Sequence, residues 1–272
     1  MAFDKTKSPV KLPTFDLTDK VCIITGGTKG LGYGIVMAFA AAGAKVVITS
    51  RHQDDCDKVA NEVISLGGKA LGVATDVQSK EQIEALVEKT VREFGRLDIM
   101  VNNAGVAITK KIIDVDEKDY DTVLNSNLKS VYFGSQAAAR QMIKQNEAGE
   151  GFGGKIINMC SIGGIKGNNG VATYGSSKAG AINLTKSLAW ELARYGITAN
   201  AICPGYVITE INRSQLEGTE FGDKQLKNIP LRRFGTVDEV AALAVFIASD
   251  SCNMLDGEAI VCDMGATLGG NV

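Results

Sequence analysis

Short β-branched runs alternate with longer helical patterns almost from end to end of this chain, and that alternation leaves few folds open to it. The runs KVCIITG, KVVITS, KALGVATD, LDIMVNN, KIINMCS, TANAICP and EAIVCD read as strands. Between them lie helical stretches such as LGYGIVMAFAAAG and SKEQIEALVEKTVREFG, each closing at a glycine as a helix C-terminus does. Strand followed by helix, repeated, demands parallel pairing through right-handed crossovers, with helices covering both faces of the sheet. The expected fold class is therefore α/β: one doubly wound domain with a parallel seven-stranded sheet. Ligands of such a sheet bind at the carboxyl ends of the strands.

Three stretches stand outside the alternation. Residues 1–18, with Pro9 and Pro13, read as an extended N-terminal arm, leaving 19–272 as a single domain. NEAGEGFGG, residues 146–154, is a glycine-rich polar loop with no visible chemistry. Residues 210–235 form a long connection after the sixth strand, the kind of segment that serves as a lid or substrate-binding loop.

Composition removes several function classes. Lys plus Arg is 29 against Asp plus Glu at 31, a net charge of -2, and no basic block is long enough to track a phosphate backbone, so nucleic acid is not an expected partner. The first 20 residues lack the apolar stretch of a signal peptide. The longest apolar region, about 34–48, is broken by Gly43 and Lys45 and falls short of the roughly 20 residues that cross a bilayer. No membrane partner is expected, and the reading is a cytoplasmic protein. Among the six cysteines no CxxC pair occurs, and Cys22, Cys160, Cys203 and Cys262 lie in runs that read as buried strands. They are expected to be reduced, small hydrophobes rather than bridges or metal ligands. One histidine, His52, cannot build a zinc site with them, and no metal is expected.

TGGTKGLG, residues 25–32, follows the first strand and opens the first helix. Gly26, Gly30 and Gly32 stand where a backbone turns sharply and approaches a ligand, and the free N–H groups of that helix start suit a pyrophosphate. Glycines at a strand-to-helix turn can also be merely conformational. In a nucleotide fold, an acid about 20 residues further on selects NAD, whereas a cation there favours the phosphate of NADP. Here the second strand ends in Ser50 and Arg51, and Lys29 sits inside the glycine turn, so NADP(H) is favoured over NAD(H). Asp54 and Asp55 are expected to open the next helix instead. YGSSK, residues 174–178, places Tyr174 and Lys178 at i and i+4, on one face of a helix.

Together TGGTKGLG, NNAG at 102–105, Asn127 in NSNLKS, Ser161 in NMCSIGG, YGSSK and PGYVIT at 204–209 resemble the short-chain dehydrogenase/reductase family in order and spacing, over about residues 17–265. The resemblance implies a Rossmann-type domain with Tyr174 as catalytic acid/base, Lys178 as its activator, Ser161 on the substrate oxygen and Asn127 holding a water beside the lysine. It also implies the cofactor set. Thr28, Lys29, Leu31 and the three glycines line the pyrophosphate, and Ser50, Arg51 and His52 lie at the adenosine phosphate. Asp76 and Val77 meet adenine, and Asn103, Ala104 and Gly105 lie beside the ribose. Tyr174 and Lys178 reach the nicotinamide ribose, and Pro204, Gly205, Val207 and Thr209 orient the nicotinamide.

Physics agrees with the implied chemistry. A phenol of ordinary pKa about 10 is a poor base near neutrality. An ammonium and the positive ring of the oxidised cofactor are expected to lower it.

The expected activity is hydride transfer between NADP(H) and a secondary alcohol or ketone of a small molecule, of sugar, polyol or hydroxysteroid type. Reduction of a 3-oxoacyl thioester on an acyl carrier protein is the alternative substrate reading, and a non-catalytic NADPH-sensing protein is the alternative of another class. The family implies a homotetramer built on the helices flanking the fifth strand. Trp190 is expected in core or interface packing, and Ile108 and Ile112 are expected at the substrate entrance. Met264 in LDGEAIVCDMG stands where the family usually has glycine.

Overall fold

The computed structural model describes residues 14–149 and 153–268. Most of the expected arm, 1–13, and the middle of the glycine-rich loop, 150–152, lie outside the described residues. The first half of the chain runs β1 (Val21–Thr25), α1 (Gly30–Ala41), β2 (Lys45–Ser50), α2 (Gln53–Ser65), β3 (Lys69–Ala74), α3 (Lys80–Phe94) and β4 (Ile99–Asn102). Then come α4 (Glu117–Leu124), a π turn (Asn125–Lys129), α5 (Ser130–Glu147), β5 (Gly154–Met159), α6 (Ala172–Leu192) and β6 (Ile197–Pro204). Two short helices, α7 (Arg213–Leu216) and α8 (Glu220–Lys227), precede α9 (Val237–Ala248) and β7 (Ala259–Cys262).

The strands form one parallel sheet in the order β3-β2-β1-β4-β5-β6-β7, as the alternation of strand and helix requires. From β1 the chain winds outward to β3, then returns to lay β4 on the other side of β1. That reversal opens a crevice at the carboxyl ends of β1 and β4. Strands buried on both faces are mostly apolar, and all five residues of β1 are buried, with polar Thr25 at its carboxyl end. Alternate side chains feed two cores. Ile24 and Ile48 pack with α1, α2 and α9 through Phe39, Val63 and Ala244. Ile23 and Val47 pack with α3, α5 and α6 through Leu86, Met142 and Ala189. Leu17 joins the first core, its N–H donating to Ala42 O at 2.7 Å.

Some expectations are corrected. The 210–235 connection contains α7 and α8, because Thr219 caps the second helix by accepting from Gly222 N, and Leu216 and Ile229 are buried beneath them. Cys262 is only half-buried, since β7 is an edge strand. Trp190 is 88% exposed and is no part of the core. Among the described residues no helix is long and apolar enough to cross a membrane.

Candidate active site

The glycine turn joins β1 to α1. Gly26 and Gly30 take φ of 64° and 55°, in the left-handed region, and a Cβ on Gly32 would overlap the carbonyl oxygen of Gly26. Lys29 occupies the N-cap of α1 without capping it by its side chain, so N–H groups of the first turn stay available to an anion. Thr28 and Leu31 are half-buried on the same turn. Asn103 Nδ2 donates to Thr25 O at 2.8 Å and to Gly26 O at 3.1 Å, while Thr25 Oγ1 accepts from the N–H groups of Asn103 and Ala104 at 2.9 and 3.0 Å. Thr25 thus clamps the ends of β1 and β4 together. Sequence reading overlooked it, although it opens the quoted glycine motif.

At the end of β2 the Ser50 hydroxyl donates to His52 O at 3.2 Å, and Arg51 and His52 are exposed. Among the described residues neither Arg51 nor Lys29 has a carboxylate partner. Asp54 and Asp55 lie in the first turn of α2, as expected. Asp76 closes the turn before α3, its Oδ1 accepting from Gln78 N at 3.0 Å, with Val77 half-buried beside it. Beyond β6, Gly205 packs so closely on Asp263 that a Cβ would lie 2.7 Å from its Cβ, and Val207 bridges to Gly235. Thr209 then reaches back across the crevice, its Cγ2 3.7 Å from where a Cβ on Gly30 would be. Pro204, the last residue of β6, starts this return.

Tyr174 and Lys178 share a face of α6, with the Lys178 Nζ 5.7 Å from the Tyr174 ring centroid. Lys178 is 4% exposed and donates to Met159 O at 2.7 Å. Asn127 is fully buried in the π turn: its Oδ1 accepts from Val106 N, and its Nδ2 donates to Val106 O and to Ser177 Oγ. Such turns occur often at functional sites. A Cβ on Gly105 would lie 2.9 Å from Asn127 Oδ1 and 3.5 Å from Lys178 Nζ, so the end of β4, the π turn and α6 meet at one point. Ser161 Oγ accepts from Gly163 N at 3.0 Å, and a Cβ on Gly163 would lie 3.4 Å from both Ser161 Oγ and the Tyr174 ring, so the two side chains meet at this turn. The turn at 162–164 lies tight on α6, because Gly164 and Gly175 leave no room for a Cβ against the Lys178 and Gly163 backbone. Ser177 and the Met159 carbonyl were not legible as site groups; both act through tertiary hydrogen bonds that no spacing encodes.

The electrostatics of the polypeptide alone leave the lowering of the phenol to the bound cofactor. Burial pushes the Tyr174 phenol above its ordinary value, and the Ser161 hydrogen bond pulls it back. Burial also lowers Lys178, whose ammonium points at the Met159 carbonyl rather than at the phenol. An acidic phenol is therefore not a property of the polypeptide alone.

A helix start without a side-chain cap, a glycine-rich turn, and Lys29 and Arg51 with no carboxylate partner among the described residues fit a nicotinamide dinucleotide. The chain matches the family model described as enoyl-(acyl carrier protein) reductase over residues 26–267. It is 37% identical over 252 residues to the 3-oxoacyl-(acyl-carrier-protein) reductase of Thermotoga maritima, covering 93% of this chain and 99% of that one. A short-chain type dehydrogenase/reductase from Mycobacterium marinum superposes with a TM-score of 0.87 at 34% identity, over 94% of this chain and 98% of that one. The chain belongs to the short-chain dehydrogenase/reductase family. This short-chain dehydrogenase/reductase is also 39% identical to the 2-dehydro-3-deoxy-D-gluconate 5-dehydrogenase of Dickeya dadantii, over 93% and 98% of the two chains. A short-chain dehydrogenase from Burkholderia cenocepacia, solved in complex with NADP, superposes with a TM-score of 0.85 at 32% identity, over 92% and 99% of the chains. As a member of the family the protein is an oxidoreductase of CH–OH and keto groups.

Proposed function

We propose that this chain moves a hydride between NADP(H) and a secondary alcohol or ketone of a small molecule, of sugar, polyol or hydroxysteroid type. The observation that carries the reading is the meeting of Tyr174, Ser161, Lys178 and Asn127 at one end of the sheet that also holds the glycine turn. Bound nicotinamide supplies the hydride acceptor or donor. Tyr174 takes the alcohol proton at its Oη during oxidation and returns it during reduction. Ser161 hydrogen-bonds the substrate oxygen, where charge develops. Lys178, anchored on Met159 O, sets a positive charge one turn from the phenol, and Asn127 ties the loop after β4 to α6 so that this geometry holds.

Lys29 and Arg51, exposed and without a carboxylate partner among the described residues, favour the phosphate of NADP(H). Three cations of the carboxyl-side loops are already engaged by carboxylates, which weakens their own attraction for an acidic carrier protein. Lys110 is held by Asp116 and Asp119, Arg213 by Glu217 and Arg233 by Glu239. The name of the Dickeya dadantii relative also supports a small polar substrate. Six reduced cysteines accord with a cytoplasmic enzyme. We further propose a homotetramer joined through α5 and α6, where Tyr132 and Trp190 are 48% and 88% exposed; a native mass of one chain, 28.7 kDa, would refute it.

NADPH oxidation with a panel of keto sugars, keto sugar acids, ketosteroids and 3-oxoacyl thioesters tests the activity. Turnover is expected on at least one class, and Tyr174→Phe should lower kcat about 10²–10⁴-fold while NADPH still binds. Binding of NADPH with no turnover on any ketone would instead point to the sensor.

A further inference from the structure

Cys160 and Cys203 stand directly before Ser161 and Pro204, at the carboxyl ends of β5 and β6. The register pairs Met159 with Ile202, and Cys160 N donates to Ile202 O at 2.7 Å, which carries the ladder one rung further to Cys160 beside Cys203. Neighbours on adjacent parallel strands point to the same face, about 4.8 Å apart, inside the Cα separation of about 4.4–6.8 Å that disulfides span. Both side chains lie in a small cluster with Val131, Ala181 and Ala201, 5% and 0% exposed. The neighbouring Cys203 thiol and the Lys178 ammonium hold the Cys160 thiol low against its burial, whereas the Cys160 sulfur and burial drive Cys203 up.

We propose that Cys160 and Cys203 are a dithiol that hydroperoxide closes to a disulfide, stopping turnover. The Cys160 sulfur attacks a peroxide oxygen; an S–O bond forms, the O–O bond breaks, and the departing hydroxide leaves as water with the thiol proton. The Cys203 sulfur then attacks the sulfenic sulfur; the S–S bond forms, the S–O bond breaks, and a second water leaves with the Cys203 proton. Two thiols lose two electrons and one hydrogen peroxide becomes two waters. The bond draws the two sulfurs to about 2.05 Å and displaces Ser161 and Pro204, each the next residue in the chain. The loss of turnover rests on the function proposed above; the linkage does not.

The test exposes the whole protein to hydrogen peroxide and maps its peptides without reduction. The expected result is a Cys160 peptide joined to a Cys203 peptide, lighter by two hydrogens. NADPH-dependent turnover should be lost with the linkage and recovered in dithiothreitol, and Cys203→Ala should give no joined peptide. Met254, fully exposed, reports that oxidant was present. Met254 sulfoxide with both thiols free would overturn the proposal. So would Cys203 joined to Cys262, or a Cys160–Cys203 link that leaves turnover intact. Absence of turnover before any peroxide would count against the proposed activity, and the mapping would still decide the dithiol.

Discussion

At the scale of single residues the site is governed by what burial does to a phenol. Burial raises Tyr174, and the Ser161 hydrogen bond opposes it. In the proposed mechanism ketone reduction needs the protonated phenol, so its rate should hold through neutrality and fall only as pH rises through the raised value. Ser161→Ala removes the cause that lowers Tyr174. It should cut kcat about 10²–10³-fold and move the alkaline limb of the reduction profile to higher pH; a kcat/KM profile with the limb moved to lower pH would contradict this. Met264 is a second residue with a local cost. It takes φ of 57°, where an L side chain loses about 1–2 kcal/mol relative to glycine. Met264→Gly should therefore raise the urea midpoint by the equivalent of about 1 kcal/mol. A lower midpoint would mean that the side chain's packing beside Gly235 outweighs the strained backbone.

At the scale of elements, the seven strands and their crossovers were legible because apolar β-branched runs bounded by glycines carry their own period. The candidate site was legible through Tyr174 and Lys178, which helical spacing alone brings to one face. Helices α7 and α8 were hidden: EINRSQLEGTEFGDKQLKNIP is polar, and tertiary burial of Leu216 and Ile229 holds its short turns. Nothing in NSNLK announces a π turn either, for it accompanies the hydrogen bonds of Asn127 to Val106 and Ser177. The glycine in YGSSK gains its meaning only from the packing of α6 on the 162–164 turn. A Cβ on Gly175 would lie 2.8 Å from Gly163 O. Gly175→Ala gains about 1 kcal/mol of helix propensity while pushing the Ser161 turn away from Tyr174. Its thermal midpoint should change little, and its kcat should fall about 10-fold or more, since misplacement of about 1 Å can cost about 100-fold. Unchanged kcat would show that the turn accommodates the methyl group.

At the scale of the whole molecule, the proposed dinucleotide site draws on the end of every strand from β1 to β6. The glycine turn follows β1, Arg51 follows β2, Asp76 follows β3, Asn103 follows β4, Lys178 lies on the helix after β5, and Thr209 follows β6. A ligand bound across these loops stabilises the entire fold by mass action, about 2.7 kcal/mol at 100 times its Kd. In the proposed reading Lys29 and Arg51 make NADP(H) the better dinucleotide, because a phosphate adds charge-assisted hydrogen bonds that a bare ribose hydroxyl lacks. NADPH should then raise the thermal midpoint more than NADH at equal concentration. Arg51 is exposed and has no carboxylate partner among the described residues, so Arg51→Ala should leave the unliganded midpoint in place. The same variant should bring the NADPH shift down toward that of NADH. Equal shifts by the two dinucleotides in the unmodified protein would remove the assignment of these cations to the phosphate, while leaving the hydride chemistry at Tyr174 untouched.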